Sequence, residues 1–337
     1  MAVSLTKPTL PRVARLPRLH EREWRPVERA SVIAVIAITM GALFVTSYSL
    51  ALGDPVPHRI DVGLVGGPAG RAPAIRAAQR VAHDSLAFRH YDSLQAALHA
   101  IDEQRLYAAL VLSPKPTLFV SSAAGASVAR VLDQVPLADP SVRVVDTHPL
   151  PPSDPNGLEI FYLMLVATIV GFITIFQAHA NAGPLDLRRS AAFVVGLALA
   201  AGLAFTLLDR LVLHRLDLPI AETWGILSLH VLAVASFASL MIALLGRWAI
   251  LPTWLFFVVL GNSSSGGAVS PPLLPRPFAL ISQWLPSGAT ITSLRDAVYF
   301  HSYQHAEPIA VLATWAALLF TAWVVVSRRR DARAVRP

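Results

Sequence analysis

The sequence predicts an α-helical integral membrane protein. Six transmembrane helices run one plus five, a re-entrant hairpin precedes the last, and an α/β domain is inserted outside the bilayer. Three observations predict it. Hydrophobic residues make up 54% of the 337-residue chain and charged residues only 15%, against about 25% charged in a soluble domain. Six strongly apolar runs punctuate the chain. Between the first two lies a long segment, 54–157, whose hydrophobic pattern is that of a packed α/β domain instead.

A helix needs about 20 apolar residues to cross roughly 30 Å of hydrocarbon. Residues 30–52, "ASVIAVIAITMGALFVTSYSLAL", carry no charge. The run is longer than an ordinary signal-peptide core and follows a long basic leader, so it reads as an uncleaved span. The later runs are 160–176, 191–208, 225–245, 248–261 and 309–326. The fifth, "WAILPTWLFFVVLG", is short and holds Pro252.

Charge sets the expected orientation. Residues 1–29 hold seven Lys/Arg against three Glu, and residues 327–337 hold five Arg against one Asp. The link 177–190 carries Arg188 and Arg189 against Asp186, and Arg247 follows the fourth run. Basic loops stay in the cytoplasm. These segments alternate correctly for a multi-pass protein of the cell membrane with six spans and both termini in the cytoplasm. The chain's net charge of +7 then marks topology and contact with anionic lipid headgroups, not nucleic acid.

The domain 54–157 alternates between the two periodicities. "RIDVGLVG" (59–66) reads as a strand and "APAIRAAQRVAHD" (72–84) as a helix. "LAFRHY" is a strand, and "SLQAALHAIDEQR" (93–105) a helix capped by Ser93. "YAALVLS" and "TLFVSSA" bracket a "PKP" turn. "GASVARVLDQV" (125–135) is a helix and "SVRVVDTH" (141–148) a strand. The order β-α-β-α-β-β-α-β predicts a mixed sheet. "PLPPSDPNG" is a stiff linker into 158–326, the five-helix membrane domain.

Catalytic signatures are missing, so the chain is not expected to be an enzyme and no cofactor is expected. The only lysines are Lys7 and Lys115, and neither follows the glycine pattern of a phosphate-binding loop. Cysteine is absent, which removes thiol chemistry and cysteine metal sites. "GNSSS" breaks the G-x-S-x-G elbow at its last position; serines beside spans satisfy local backbone groups. His230 falls inside the fourth run, where a neutral ring bonded to a neighbouring helix is expected. No acidic residue is expected deep in a span.

The stretch "GNSSSGGAVSPPLLP" opens the external segment 261–308. Gly261 and Asn262 are expected to cap the fifth helix, and Gly266 and Gly267 to act as a hinge. Two short helices, near 276–284 and 289–300, would dip into the outer leaflet, with Pro286 between them and Trp284, Tyr299 and Phe300 at the interface. Arg295 with Asp296 would anchor the second. On the other side, Gly183 and Pro184 would end one helix and start a short amphipathic one. Leu185, Arg188 and Arg189 would then form a coupling element.

"LGNSSSGGAVSPPLLPRPF…WLPSGATITSLRDAVYF" resembles the extracytoplasmic signature of type-2 ABC exporter permeases. It is most similar to their phage-infection-protein-like branch, where a G-N-x-S-x-G-G turn, two L-P pairs and an Arg before Tyr-Phe recur. "YDSLQAALHAIDEQRLYAALVLS", "SSAAGASVARVL" and "PLPPSDPNGLEIFYLML" are similar to that branch's outer domain and its entry into the second span. The likeness covers about residues 55–326, with Ser263 where proline is frequent. It implies the one-plus-five layout, assembly as a homodimer or a heterodimer with a similar permease, and for many members a separate ATP-binding subunit. On this reading the chain exports an amphipathic or lipid-like compound. The alternative is a non-transporting receptor or scaffold whose outer domain binds a ligand or partner.

Overall fold

The computed structural model describes residues 26–53, 55–67, 72–113, 115–183, 185–301 and 303–334; the N-terminal residues 1–25, Pro184 and the last three residues lie outside them. Helix α1 (Pro26–Leu52) opens the described chain. Its part up to Gly41 belongs to one compact unit and Ala42–Pro337 to a second; the tertiary contacts described below all lie within the second.

Five helical stretches among the described residues are long and apolar enough to cross a membrane: Ala30–Leu52, Glu159–Asn181, Leu187–Leu213, Ile220–Asn262 and Ala306–Ala332. The protein is therefore membrane-embedded and predominantly helical. In order they are the apolar part of α1, α6 (Glu159–Asn181), α7 (Leu187–Leu208), the stretch beginning with α8 (Ile220–Leu245), and α12 (Ala306–Ala334). The fourth stretch is not one straight rod. Gly246 takes a left-handed φ of +57°, open to a residue without a β-carbon. The chain doubles back there: Phe237 of α8 stacks on Phe256 with ring centroids 5.2 Å apart. The returning limb is α9 (Ile250–Trp254), continued by a π-helical turn to Asn262.

Between α1 and α6 stands a five-stranded sheet in the order β2-β1-β3-β4-β5. The strands are β1 (Ile60–Val65), β2 (Leu86–Tyr91), β3 (Ala108–Val111), β4 (Thr117–Val120) and β5 (Arg143–Asp146). Pairing is parallel throughout except at the β3–β4 hairpin, where the proline-flanked turn reverses the chain. Helices α2 (Ala72–Val81), α3 (Leu94–Asp102), α4 (Ala126–Leu132) and the one-turn α5 (Val135–Ala138) cover it. The alternation of the sequence is met here strand for strand. Ser93 caps α3, accepting from Ala96 N at 3.1 Å. The single helix expected over 125–135 ends at Leu132, and a separate turn with Pro136 in it follows.

Three boundaries differ from the sequence expectation. Helix α6 runs to Asn181, so the link to α7 shrinks to a few residues and holds no short helix of its own. Asp186 N-caps α7 through Arg189 N at 2.8 Å, which places Arg188 and Arg189 in the first turn of α7. At its other end α7 continues as a π-helical turn, Asp209–Leu213, and stops at His214 in the left-handed region. The extension carries Asp209 into the bundle with no exposed surface. An acidic residue therefore does lie within an apolar stretch. Both of its carboxylate oxygens are buried without a hydrogen-bond partner among the described residues.

Candidate functional site

The segment 261–305 joins the sheet domain to the helical bundle, and the candidate site is built on it. Its opening turn is buried, not loose: Asn262, Ser263, Ser264 and Ser265 are all inaccessible to solvent. Helix ends leave carbonyls without partners, and the serines supply donors. Ser263 Oγ donates to Val259 O at 2.5 Å, Ser264 Oγ to Leu260 O at 2.6 Å and Ser265 Oγ to Asn262 O at 2.8 Å. From α1, Ser47 Oγ donates to the same Val259 carbonyl at 2.6 Å, whereas both polar atoms of the Asn262 side chain are buried without a hydrogen-bond partner among the described residues.

Gly261 and Asn262 do not form a left-handed cap. Both belong to the last π turn, and a β-carbon on Gly261 would sit 2.7 Å from Ser287 Oγ. The left-handed residue is Gly266, at φ +76°. Gly267 is small for packing reasons: a β-carbon there would lie 2.8 Å from Phe161 of α6 and 2.9 Å from Ile291. Thus Gly266 turns the chain and Gly267 lets it pass between two helices.

Two short helices follow, α10 (Arg276–Ser282) and α11 (Pro286–Tyr299). Pro286 occupies the first turn of α11, where its missing N–H costs nothing. Helix α11 is the buried one, packed on α6, α8 and α12; Leu280 and Trp284 lie exposed beside it. His230 of α8, with no exposed surface, bridges the bundle. Its Nε2 is 2.8 Å from Thr168 Oγ1 of α6 and its Nδ1 2.8 Å from Thr290 Oγ1 of α11. A neutral imidazole has one N–H, so one threonine accepts from the ring while the other donates to it.

Arg295 and Asp296 are not a pair. Neighbouring residues on a helix do not face each other, and each finds its own partner. Arg295 Nη2 donates to Gly266 O at 3.0 Å, tying α11 to the turn. Asp296, fully buried, accepts from Gln104 Nε2 at 2.6 Å, from His305 N at 3.0 Å and from His305 Nδ1 at 2.9 Å. Gln104 lies in the turn between α3 and β3, so this carboxylate clasps the sheet domain to the hairpin.

Two further contacts make the same junction. Ser270 N donates to Ser127 Oγ at 2.9 Å, and His58 N to Pro272 O at 2.9 Å, which seats Leu273 in the hydrophobic core of the sheet domain. Phe300 is likewise buried against Ala123 and Ala124, with its ring 4.9 Å from His148. Leu273 and Phe300 thus serve the domain junction and not the lipid interface. Burial raises the Tyr107 hydroxyl above the usual tyrosine range, opposed by nearby Arg295. At the start of α6, Asp154 accepts from Leu158 N and Glu159 N, both at 3.0 Å, fixing how the linker enters the bundle.

At the far end, Gly183 ends α6 with φ +73°, and Leu185 is exposed; Pro184 lies outside the described residues. A cleft of about 310 Å³ opens beside this link, lined by His179, Leu185, Phe193, Ser239 and Trp323 among others. No group of three or more His, Cys, Asp or Glu that could hold a metal occurs among the described residues. Comparison with protein-family models, with curated proteins and with solved structures finds no match.

Proposed function

We propose that this chain is the membrane subunit of an exporter, acting by coupled conformational change and not by chemistry of its own. The observation that carries the reading is the segment 261–305. One continuous piece of chain is bonded to the bundle core at Thr290 and clasped to the outer domain at Asp296. A displacement of α11 would therefore reach both. Irregular backbone at membrane depth is tolerated where it is packed on protein, and the buried "GNSSS" turn meets that condition.

In this reading the stretch Ile220–Asn262 makes two passes, giving six spans. The residues from Ile250 to Asn262 reach only about 20 Å at 1.5 Å per residue, and the hairpin α10–α11 completes the outer half. The arginine-bearing ends face the cytoplasm of the cell membrane, and the sheet domain faces outward. Leu185, Arg188 and Arg189 contact a separate ATP-binding subunit. A dimer encloses the path of an amphipathic or lipid-like compound, and the resemblance to type-2 exporter permeases supports both partners. One observation favours the receptor reading instead: an open cleft of about 540 Å³ on the sheet domain, lined by Ile75, Arg76, Gln79, Arg80 and Asp84.

The test is purification of the full-length chain from its own cells in mild detergent. Stoichiometric recovery of an ATP-binding subunit supports the exporter; repeated recovery of the chain without one, at native expression, favours the receptor.

A further inference from the structure

Helices α7 and α12 meet at their arginine-bearing ends around a cleft of about 610 Å³, lined by Asp186, Arg188, Ala191, Phe320, Val324 and Arg328 among others. Each helix contributes a stripe that changes from apolar to cationic. On α12, Phe320, Val324 and Arg328 stand at successive four-residue spacings and share a face. On α7, Ala191 lies one turn inside Arg188. No carboxylate is bonded to Arg188 or Arg328 among the described residues. The carboxylate in the lining, Asp186, is already engaged, accepting from Arg189 N at 2.8 Å and lying 3.4 Å from Arg189 Nε.

We infer that this cleft is a binding site for an anionic phospholipid, with its phosphate between Arg188 and Arg328 and an acyl chain along Ala191, Val324 and Phe320. Dimensions favour a lipid over a soluble anion. From Phe320 to Arg328 the stripe runs about 12 Å at 1.5 Å per residue, close to the depth of one leaflet in a core roughly 30 Å thick. A free phosphate would use the arginines and leave the apolar wall uncovered. Basic pockets between spanning helices take anionic headgroups for this reason. The site requires only that α7 and α12 lie in a membrane; it holds whether or not the chain exports anything.

The test uses the full chain in detergent, titrated with phosphatidylglycerol or phosphatidylcholine, followed by thermal unfolding and by mass spectrometry of retained lipid. The wild type is expected to retain phosphatidylglycerol in preference. Each arginine contributes about a fivefold preference, so R188Q/R328Q should lose about thirtyfold. R329Q/R330Q removes equal charge, from α12 alone and outside the cleft lining, and should retain the preference. Ala191→Trp obstructs the apolar wall of the cleft with the arginines intact and should also weaken the preference, which separates the site from a folding defect in the arginine variant. Equal loss in both arginine pairs would mean a diffuse basic surface and would overturn the proposal. So would equal stabilisation by inorganic phosphate, which would mark a soluble-anion site. Capture of an acidic protein segment through Arg188 and Arg328, with no lipid preference, would overturn it as well. None of these readouts involves an ATP-binding subunit, so failure here is distinct from failure of the exporter reading.

Discussion

Asp296 should hold the sheet domain to the hairpin, and replacing it with alanine should open that junction without dissolving the bundle. The carboxylate accepts three hydrogen bonds, at 2.6, 3.0 and 2.9 Å. A hydrogen bond to a charged group contributes about 1.5–3 kcal/mol. The His305 side chain is 43% exposed, so its share is screened and its donors partly re-solvate on opening. A net cost of about 3 kcal/mol follows, at the lower end of the range for removing one partner of a buried pair. That cost raises the population of the opened junction about a hundredfold. Hydrogen exchange on the full chain in nanodiscs reads it directly. Amides at 100–106 and 303–306 should exchange about a hundredfold faster, while those of α6 and α8 stay protected. Gln104→Ala removes the one bond of the three that reaches the sheet domain and should give about a tenfold effect at 100–106, while 303–306 keep the two His305 bonds and stay unchanged. Unchanged exchange at both segments would refute the clasp, and uniform acceleration throughout would mean that Asp296 supports the bundle itself.

Gly267→Ala should cost about 1–3 kcal/mol by overpacking against Phe161 and Ile291, read as a lowered Tm. Gly266→Ala should cost about 1 kcal/mol from its left-handed φ. Valine at both positions should lower expression as well, and an unchanged Tm for Gly267→Ala would contradict the packing. His230→Leu should cost only about 1–2 kcal/mol, because the threonine that accepts from the ring keeps its bond to the carbonyl four residues back and the one that donates to the ring can turn its proton to its own, Met164 O lying 2.9 Å from Thr168 Oγ1 and Pro286 O 2.8 Å from Thr290 Oγ1. Failure of this variant to accumulate would show that the ring carries more than those two bonds. The chain has no native cysteine, so single cysteines report sidedness. One at Ser85 should react with an impermeant thiol reagent in intact cells and one at Leu185 should not; the reverse pattern inverts the orientation.

What the sequence reveals is what local periodicity and local hydrogen bonding encode. The strand and helix order of 59–148 is written in alternating and helical spacing, and the serines of "GNSSS" act on carbonyls three or four residues back. What it hides depends on distant partners. Asp296 and Gln104 are 192 positions apart, and nothing beside Asp296 suggests its partner; the adjacent Arg295 invites a false pairing that helix geometry forbids. The apolar "PPLLP" looks like membrane sequence, yet Leu273 belongs to the sheet domain's core. Asp209 reads as a loop residue because the apolar run stops before it, while the helix continues for one π turn. Phe300, aromatic near a span, mimics an interface residue and is buried in the domain junction.

The exporter reading is tested most directly at Leu185, exposed in the link between α6 and α7. A photo-crosslinker placed there in the full chain, in its own cells, should trap an ATP-binding subunit in one dominant adduct, and the trapped complex should hydrolyse ATP. A crosslinker at Arg247, at the reversal between α8 and α9, serves as the comparison. Trapping of such a subunit from Arg247 but never from Leu185 would contradict the coupling assignment. Efficient photolysis with no ATP-binding adduct from either position would contradict the exporter itself.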